Sequence, residues 1–287
     1  MAGSDSIQPD FELLQRVMAL AVSAGEVILS FYVGADKLQV DTKEDFSPVT
    51  VADRAANQLL EAELPELLTL PLLSEESFIP PYNERSSWQR YWLVDPLDGT
   101  REFLSGTGDF TVNIALIEAG RPVLGVVYVP VSGVGYGGVQ GEGAWRHIKE
   151  QWEPISVRSM AGRISAGEPL KMVASRRHGG GAVTRLRDFL AERFGEVVLQ
   201  PVGSSLKQCL VAEGVADLYP HFWPTSEWDT AAGQAVVEAA GGAFLDIDFR
   251  PLRYNSKPSL LNPYFYVIAD RDYGWAAELS AARRELE

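Results

Sequence analysis

Acidic side chains that adjoin short apolar runs are the residues of this sequence best suited to chemistry. They form the pair Glu75 and Glu76, the pair Asp95 and Asp98, and the single residue Asp229. Carboxylates held close together repel one another unless they are protonated or bind a cation. Hard divalent cations such as Mg²⁺ prefer oxygen ligands of this kind, and two such ions can clamp a phosphoryl group. The acidic clusters therefore predict a Mg²⁺ site that acts on a phosphate.

Asp95 and Asp98 stand on either side of Pro96 and are followed by Gly99. We expect a turn between the two carboxylates, because proline fixes φ and lacks a backbone donor. Gly99 allows the backbone to approach a ligand closely. A helix that begins near Thr100 would point its free N–H groups at an anion.

Each acidic cluster taken alone also has a purely structural explanation. Residues 98–99 could form an ordinary turn, and residues 75–76 could lie in a solvated loop. Asp229 could be a helix N-cap, and residues 50–53 have the spacing of a capping box. The spacing by itself therefore leaves the chemistry of each position open.

The elements that must position these residues change in type along the chain. Helical periodicity covers residues 9–32 and 51–64, and Pro65 is expected to end the second helix. Strands are predicted at 71–74, 90–94, 110–116 and 123–129, with further short strands in the Gly-rich segment 135–145. In the second half we predict strands at 170–174, 197–200, 216–219, 243–246 and 265–269, with helices at 181–194, 204–213, from 229 onwards and 273–286.

Strands that alternate with helices favour an α/β layer in the second half of the chain. The sequence thus predicts a mixed α+β and α/β fold, and the polar segment 158–169 is the candidate boundary. We expect an N-terminal α+β subdomain, residues 1–160, that carries most candidate metal ligands. We expect a C-terminal α/β subdomain, residues 161–287, that carries Asp229 and the substrate-recognition segments.

Composition excludes some classes of function. The chain has 287 residues with a formal net charge of −14, which argues against nucleic-acid binding but not against a small phosphorylated substrate. The single cysteine, Cys209, rules out an intrachain disulfide and is expected to be a buried, inert thiol. We identify no secretory signal and no apolar run of about 20 residues, so no integral membrane segment is predicted. A cytoplasmic protein is expected, and peripheral association with the inner membrane stays open.

Taken together, four segments resemble the inositol monophosphatase family of Mg²⁺-dependent, lithium-sensitive phosphatases. These segments are 47–53, 74–77, 92–103 and 228–233, followed by Ala240-Gly241-Gly242. The resemblance implies a layered α/β/α/β/α sandwich of the inositol monophosphatase and fructose-1,6-bisphosphatase type. It also implies two or three Mg²⁺ ions as cofactors and inhibition by Li⁺.

The resemblance also implies roles for individual residues. The metal ligands would be the carboxylates of Glu75, Asp95, Asp98 and Asp229 together with the carbonyl of Leu97. The catalytic residues would be Thr100 and Asp53, which orient and activate water, with Glu76 in support. The backbone N–H groups of Gly99 and Thr100 would hold the phosphate. The loop with Lys43 and Asp45 would approach the metals and help to place a third ion.

Further segments resemble the 3′(2′),5′-bisphosphate nucleotidase branch of this family. They are residues 43–50, 108–116, 203–207 and 218–220. This branch removes the 3′-phosphate of adenosine 3′,5′-bisphosphate to leave AMP, and it can act on the sulfated analogue. The resemblance implies detoxification and recycling in sulfur assimilation, by a monomer or a homodimer.

A bisphosphorylated nucleotide needs a second anion site away from the metals. We predict one from Ser175, Arg176 and His178 after a strand and from Ser204, Ser205 and Lys207 at a helix start. Arginine suits multidentate phosphate recognition, and a helix N-terminus adds donors. Arg177 is a weaker candidate, because adjacent strand residues face opposite sides. Alternatively, the arginines are solvated, His178 is a loop residue and Lys207 is an exposed helix lysine.

Two other functions are compatible with the sequence. One is an inositol-1-phosphate or broad sugar-phosphate phosphatase, against which the second anion site argues. The other is a regulatory protein associated with an RNA complex, against which the metal ligands and the acidic charge argue. Most tryptophans, including Trp88, Trp145, Trp152 and Trp223, are expected to fill cores, and we assign no residue to an adenine.

Overall fold

Two β-sheets, each flanked by helices, organise the part of the chain that the structure describes. This computed structural model describes residues 8–32, 48–176 and 180–286. The helices are α1 (Phe11–Phe31), α2 (Pro48–Leu67), α3 (Tyr82–Arg85), α4 (Thr100–Leu104), α5 (Met160–Ala166), α6 (Gly180–Phe194), α7 (Leu206–Ala212), α8 (Ala231–Ala239) and α9 (Trp275–Leu286). The strands are β1 (Leu72–Ser74), β2 (Arg90–Asp98), β3 (Thr111–Glu118), β4 (Arg121–Val129), β5 (Val134–Val139), β6 (Gly143–Ile148), β7 (Gln151–Ile155), β8 (Leu170–Ser175), β9 (Val197–Val202), β10 (Leu218–His221), β11 (Ala243–Asp246) and β12 (Phe265–Ile268).

The two sheets differ in strand direction. The first sheet contains β1 to β7 in chain order, with β1 parallel to β2 and the remaining neighbours antiparallel. The second sheet has the order β11-β12-β10-β8-β9. Its strands β8, β9 and β10 run parallel, whereas β11 and β12 add an antiparallel edge. This change confirms the predicted mixed α+β and α/β fold.

Among the described residues, three hydrophobic cores separate the layers. The first lies between α1, α2 and the first sheet, with Leu14, Leu60 and Trp92 among its buried residues. The second lies between the two sheets and includes α7 and α8. The third joins the second sheet to α5, α6 and α9. Helices and sheets therefore alternate as α/β/α/β/α, and the expected layered sandwich is confirmed.

The apolar residues of helix α1 pack it against the first sheet as an outer layer of the fold. Asp10 caps its N-terminus by accepting a 2.8 Å hydrogen bond from the N–H of Leu13. Leu14, Val17 and Ala21 recur at three- and four-residue steps and are fully buried against the first sheet. By length and composition α1 could cross a membrane, contrary to our reading that no apolar run was long enough. In the structure its apolar side is part of the first core.

The middle helix α8 comes from the second half of the chain but packs directly on the first sheet. Gly125 and Gly138 permit this contact. A Cβ at Gly125 would lie 2.3 Å from the carbonyl oxygen of Ala232, and one at Gly138 would lie 2.6 Å from Cα of Val236. Because Asp229 immediately precedes this helix, the close packing brings that carboxylate to the first sheet.

Several boundaries differ from the predicted ones. The helix α2 continues through Pro65, which lacks one backbone donor, and ends two residues later at Leu67. The helix predicted from residue 204 begins at Leu206, and the one predicted from residue 229 begins at Ala231. The candidate boundary segment 158–169 contains α5 and connects β7 of the first sheet to β8 of the second sheet along the chain. The division into subdomains at residue 160 stays a prediction.

Candidate active site

The parallel strands β1 and β2 end side by side, and an acidic residue follows or ends each of them. Ser74 pairs with Val94 in the strand register. The N–H of Glu75 donates a 3.3 Å hydrogen bond to the carbonyl of Val94, so the pairing extends into the first acidic residue. Neighbouring strands lie about 4.8 Å apart, and Glu75 and Asp95 therefore become neighbours.

Asp95 and Asp98 lie in a bulge of β2 and not in the turn that we expected. Asp95 pairs with Asn113 and Asp98 pairs with Thr111, so β2 holds one residue more than β3 over this interval. Pro96 lacks a donor for the ladder and suits such a break. The bulge lets both carboxylates line one cavity.

Asp229 reaches the site in the short turn that precedes α8. Its Oδ2 accepts a 2.8 Å hydrogen bond from the N–H of Ser226, which completes a capping box. Its carbonyl oxygen accepts a 2.8 Å hydrogen bond from the side-chain amide of Gln208 on α7. The N-cap of α8 itself is Thr230, so the alternative reading of Asp229 as that N-cap is wrong.

Three carboxylates converge at this point. One oxygen from each of Glu75, Asp95 and Asp229 lies within 4.8 Å of the others. Burial raises the pKa of Asp95 and of Asp229 well above the usual range, and repulsion from the neighbouring carboxylates adds to it. Loss of water contact, together with Asp98 and Glu76, raises the pKa of Glu75 to about 7. Oxygen donors crowded in this way need protons or a cation, so the set fits a divalent ion.

Asp53 adds a buried carboxylate beside this cluster. It lies on α2 and is 8% exposed, and its Oδ1 has no hydrogen-bond partner among the described residues. Burial raises the pKa of Asp53 to about 8, with smaller contributions from Glu76 and Glu75. A buried polar oxygen without a partner is costly. The orphaned oxygen is therefore a second observation that fits a cation or a protonated group nearby.

Ser205 at the start of α7 holds two of the acidic residues. Its N–H and its hydroxyl each lie 2.6 Å from the same oxygen, Oδ2 of Asp98, to which both donate. The hydroxyl also lies 2.8 Å from the carbonyl oxygen of Asp229 and accepts a 2.9 Å hydrogen bond from Asn113. The sequence predicts Ser205 as a substrate-binding residue, and the structure places its side chain on candidate metal ligands.

Gly99 connects β2 to α4, and any other residue at this position would be strained. Its φ of +97° lies in the left-handed region. A Cβ there would lie 3.3 Å from Cα of Phe110 and 3.3 Å from Cβ of Ser204. The helix α4 begins at Thr100, which confirms the predicted helix start next to the carboxylates.

These groups share one cavity of about 460 Å³. Of the predicted site residues, those that line it are Glu75, Asp95, Leu97, Asp98, Gly99, Thr100, Ser175, Ser204, Ser205, Lys207 and Asp229. Asp53, Glu76 and Arg176 are described residues outside this lining. Candidate metal ligands and most of the described second anion site therefore face the same space.

Lys207 is a buried cation on the wall of this cavity. It is 5% exposed, so the alternative of an exposed helix lysine is wrong. Its Nζ donates a 2.6 Å hydrogen bond to the carbonyl of Ser204 and lies 5.3 Å from the centre of the Tyr219 ring. Burial lowers its pKa, while nearby carboxylates, Asp98 first among them, oppose that shift. A buried cation near the carboxylates suits an anionic ligand.

The remaining predicted residues of the second anion site either lie outside the cavity lining or lie outside the described residues. Arg176 is exposed and forms a 2.6 Å ion pair with Asp109. Asp109 also accepts a 3.4 Å hydrogen bond from the N–H of Gly203, so this pair links the segments after β8 and β9. Arg177 and His178, like Lys43 and Asp45, lie outside the described residues.

Sequence reasoning missed an aromatic wall of the cavity. Tyr219, His221, Trp223 and Phe265 line it together with Arg101, Glu102, Gln208, Pro224, Thr225 and Thr230. The His221 and Phe265 rings stack with centroids 4.9 Å apart, and the Tyr219 hydroxyl lies 2.7 Å from Nδ1 of His221. The alternation of Tyr219, His221 and Trp223 along one face was the available signal.

The match to known proteins agrees with this site. The sequence pattern of the inositol monophosphatase family covers residues 11–285. The chain belongs to the inositol monophosphatase family. Members of this family typically depend on Mg²⁺, and the acidic cluster of Glu75, Asp95 and Asp229 is present in this member.

Curated relatives match this family member over nearly their whole length. It is 48% identical over 256 residues to the 3′(2′),5′-bisphosphate nucleotidase CysQ of Escherichia coli O157:H7, which covers 89% of this chain and 99% of that protein. It is 34% identical over 267 residues to the 3′(2′),5′-bisphosphate nucleotidase CysQ of Haemophilus influenzae, and the match covers 92% of this chain and 95% of that protein. The resemblance to this branch of the family is therefore confirmed.

Solved structures share the fold. CysQ from Bacteroides thetaiotaomicron, a bacterial member of the inositol monophosphatase family, is 40% identical with a TM-score of 0.78 over 91% of this chain and 100% of that chain. An inositol monophosphatase from Zymomonas mobilis is 27% identical with a TM-score of 0.73, and the match covers 95% of this chain and 96% of that chain. The layered sandwich is thus shared with solved members of the family.

Proposed function

We propose that the chain is a Mg²⁺-dependent 3′(2′),5′-bisphosphate nucleotidase. It hydrolyses the 3′-phosphate of adenosine 3′,5′-bisphosphate to AMP and phosphate, and it acts on the sulfated analogue at the same site. The observation that carries this proposal is the single cavity that holds both the converging carboxylates of Glu75, Asp95 and Asp229 and the buried cation of Lys207. A substrate with two phosphate groups needs both.

The carboxylates of Glu75, Asp95, Asp98 and Asp229, with the carbonyl of Leu97, are the proposed ligands of two Mg²⁺ ions. When bound, these ions neutralise the phosphoryl group and lower the pKa of the attacking water. The loop with Lys43 and Asp45 is proposed to help place a third ion. Li⁺ is expected to inhibit by competing at the position held by Asp229.

Thr100 and Asp53 are the proposed residues that orient the attacking water. Thr100 begins α4, which packs against α2, the helix of Asp53. The Thr100 hydroxyl would accept a proton from the attacking water and pass its own proton to Asp53. Burial and the neighbouring Glu76 and Glu75 raise the pKa of Asp53 to about 8 in the metal-free site, and bound Mg²⁺ would favour the ionised carboxylate that accepts this proton. Glu76 acts in support.

Two sets of groups are proposed to hold the phosphates. The N–H groups of Gly99 and Thr100 hold the phosphate that is removed. Lys207, with Ser175 and Ser204, holds the phosphate that stays on the product, and Arg176 and His178 complete this second site. The relatives named 3′(2′),5′-bisphosphate nucleotidase support this assignment. We propose that the enzyme serves sulfur assimilation in the cytoplasm as a monomer or homodimer.

The rival activity is hydrolysis of inositol 1-phosphate, for which a second anion site has no use. The test is kcat/KM for adenosine 3′,5′-bisphosphate, inositol 1-phosphate and fructose 1,6-bisphosphate, each with Mg²⁺ and with EDTA. A Mg²⁺-dependent preference for the nucleotide supports the proposal. Preference for inositol 1-phosphate would keep the metal site and remove the role of Lys207 and Ser204. No Mg²⁺-dependent release from any substrate would overturn the proposal as a whole.

A further inference from the structure

Trp223 differs from the other tryptophans of the chain in its exposure. It is 53% exposed, whereas three of the others are at most 8% exposed and the remaining three pack against a core. This corrects our expectation that it fills a core. A single exposed apolar side chain is common in proteins and does not by itself indicate a binding site. The location of Trp223 is therefore the deciding observation.

The position is the wall of the candidate active site, because Trp223 lines the same cavity as the acidic cluster. It lies two residues after the end of β10, whose residues Tyr219 and His221 also line the cavity. The alternate residues Leu218 and Phe222 pack into the outer core instead. Trp223 therefore lies on the side of the candidate active site, and Phe222 lies on the side of the outer core.

The neighbours of Trp223 restrict its backbone. The ring of Phe222 packs edge-on against Tyr266, with centroids 5.6 Å apart at an angle of 86°. Pro224 follows, and a proline restricts the residue before it to extended backbone. An anchored residue on one side and a proline on the other reduce the entropy that Trp223 loses when it binds a ligand.

The phosphate groups of the proposed substrate already have candidate partners, and its base does not. Exposed aromatic rings bind nucleobases by stacking, with little dependence on which base is present. We infer that Trp223 is a specificity-determining residue that stacks on the nucleobase of the bisphosphorylated nucleoside. The inference rests on the proposed function and adds to it the residue that separates nucleotides from other phosphomonoesters.

The test compares two substrates that differ only in the base. They are adenosine 3′,5′-bisphosphate and its abasic analogue, 1-deoxyribose 3,5-bisphosphate, which keeps the 2-hydroxyl. In Trp223→Ala, kcat/KM for the nucleotide is expected to fall roughly 5- to 100-fold, mainly through KM, and that for the abasic analogue is expected to stay at the wild-type value. Trp223→Phe is expected to retain most of the activity, since a phenyl ring still stacks. The matched control is Phe78→Ala, because Phe78 is 84% exposed and lies outside the cavity lining.

A binding measurement separates recognition from turnover. Calorimetry with AMP is expected to show weaker binding to Trp223→Ala by the same factor, while binding of inorganic phosphate is unchanged. Equal losses of kcat/KM on both substrates, or no loss on either, would overturn the role of Trp223 and leave the nucleotidase intact. A wild-type enzyme that does not hydrolyse the nucleotide but does hydrolyse inositol 1-phosphate would overturn the proposed function, and this inference would fall with it.

Discussion

The hydroxyl of Ser74 donates a 2.6 Å hydrogen bond to Oδ1 of Asn57, and both side chains are buried. The other end of the Asn57 amide donates a 3.0 Å hydrogen bond to the hydroxyl of Ser77. Asn57 lies one turn after Asp53 on α2, so both belong to one face of the helix. Ser74 and Ser77 flank residues 75–76, and α2 therefore fixes the backbone on both sides of a candidate metal ligand.

Asn57→Ala is expected to weaken Mg²⁺ binding. Loss of the group that orients a metal ligand typically costs roughly 10- to 100-fold in metal affinity, and the half-saturating Mg²⁺ concentration should rise accordingly. The free energy of unfolding should fall by about 1–3 kcal/mol, because the buried Ser74 hydroxyl loses its acceptor. Mg²⁺ calorimetry and urea unfolding measure the two effects. Asn83, which is exposed on α3, provides the matched control Asn83→Ala. Unchanged Mg²⁺ affinity in Asn57→Ala would contradict the positioning role.

Asp95→Asn should abolish turnover without unfolding the protein. The amide keeps the shape of the side chain but removes a ligand charge, so kcat should fall by more than roughly 100-fold. In EDTA the variant should be at least as stable as the wild type, since the change relieves repulsion within the carboxylate cluster. Circular dichroism melts and phosphate release check the two statements. Wild-type activity in this variant would refute the metal assignment.

Without metal, stability should fall as pH rises. The folded-state pKa is raised to about 8 for Asp53 and to about 7 for Glu75 and Glu227. An unfolded carboxyl group titrates near pH ~4. Between that pH and the raised values, the folded protein binds more protons than the unfolded chain, so the free energy of unfolding decreases with pH.

The measurement is Tm in EDTA between pH 5.5 and 8.5, where Tm should drop by several degrees. Mg²⁺ should reduce this drop, because it binds the ionised carboxylates. Asp53→Asn should have a shallower pH dependence than the wild type. A Tm in EDTA that stays level or rises over this range would contradict the raised pKa values.

Ser205→Ala distinguishes two roles for that residue. If its hydroxyl positions Asp98 and Asp229, as its 2.6 and 2.8 Å contacts indicate, the half-saturating Mg²⁺ concentration should rise roughly tenfold for every substrate. A residue that binds only the second phosphate would instead raise KM for adenosine 3′,5′-bisphosphate. In that case Mg²⁺ dependence and hydrolysis of inositol 1-phosphate would stay unchanged. The comparison of Mg²⁺ titrations on both substrates decides between them.

The carboxylates could be predicted because each adjoins the end of a regular element. The apolar run of β2 and the helical pattern after Asp229 are strong local signals, and they place the acidic residues at edges. The proximity of Asp229 to Glu75 could not be predicted from the sequence spacing. It depends on the packing of α8 against Gly125 and Gly138, a contact between distant parts of the chain.

Other features depend on structure that short patterns do not encode. The bulge between Asp95 and Asp98 looked like a turn, because a proline and a glycine suit both. For Lys207 the sequence left an exposed helix lysine open as the alternative to a phosphate-binding residue, because helix periodicity alone cannot show what covers a side chain. In the structure Lys207 is buried in the cavity wall. The strand that carries Tyr219 has four residues, which is too short for its alternation to stand out.

The most direct test of the account is the identity of the product formed from adenosine 3′,5′-bisphosphate, followed by ³¹P NMR with Mg²⁺ and with EDTA. We expect inorganic phosphate and AMP that retains its 5′-phosphate, formed in the presence of Mg²⁺ and absent in EDTA. Formation of the 3′-monophosphate, or release that continues in EDTA, would contradict it.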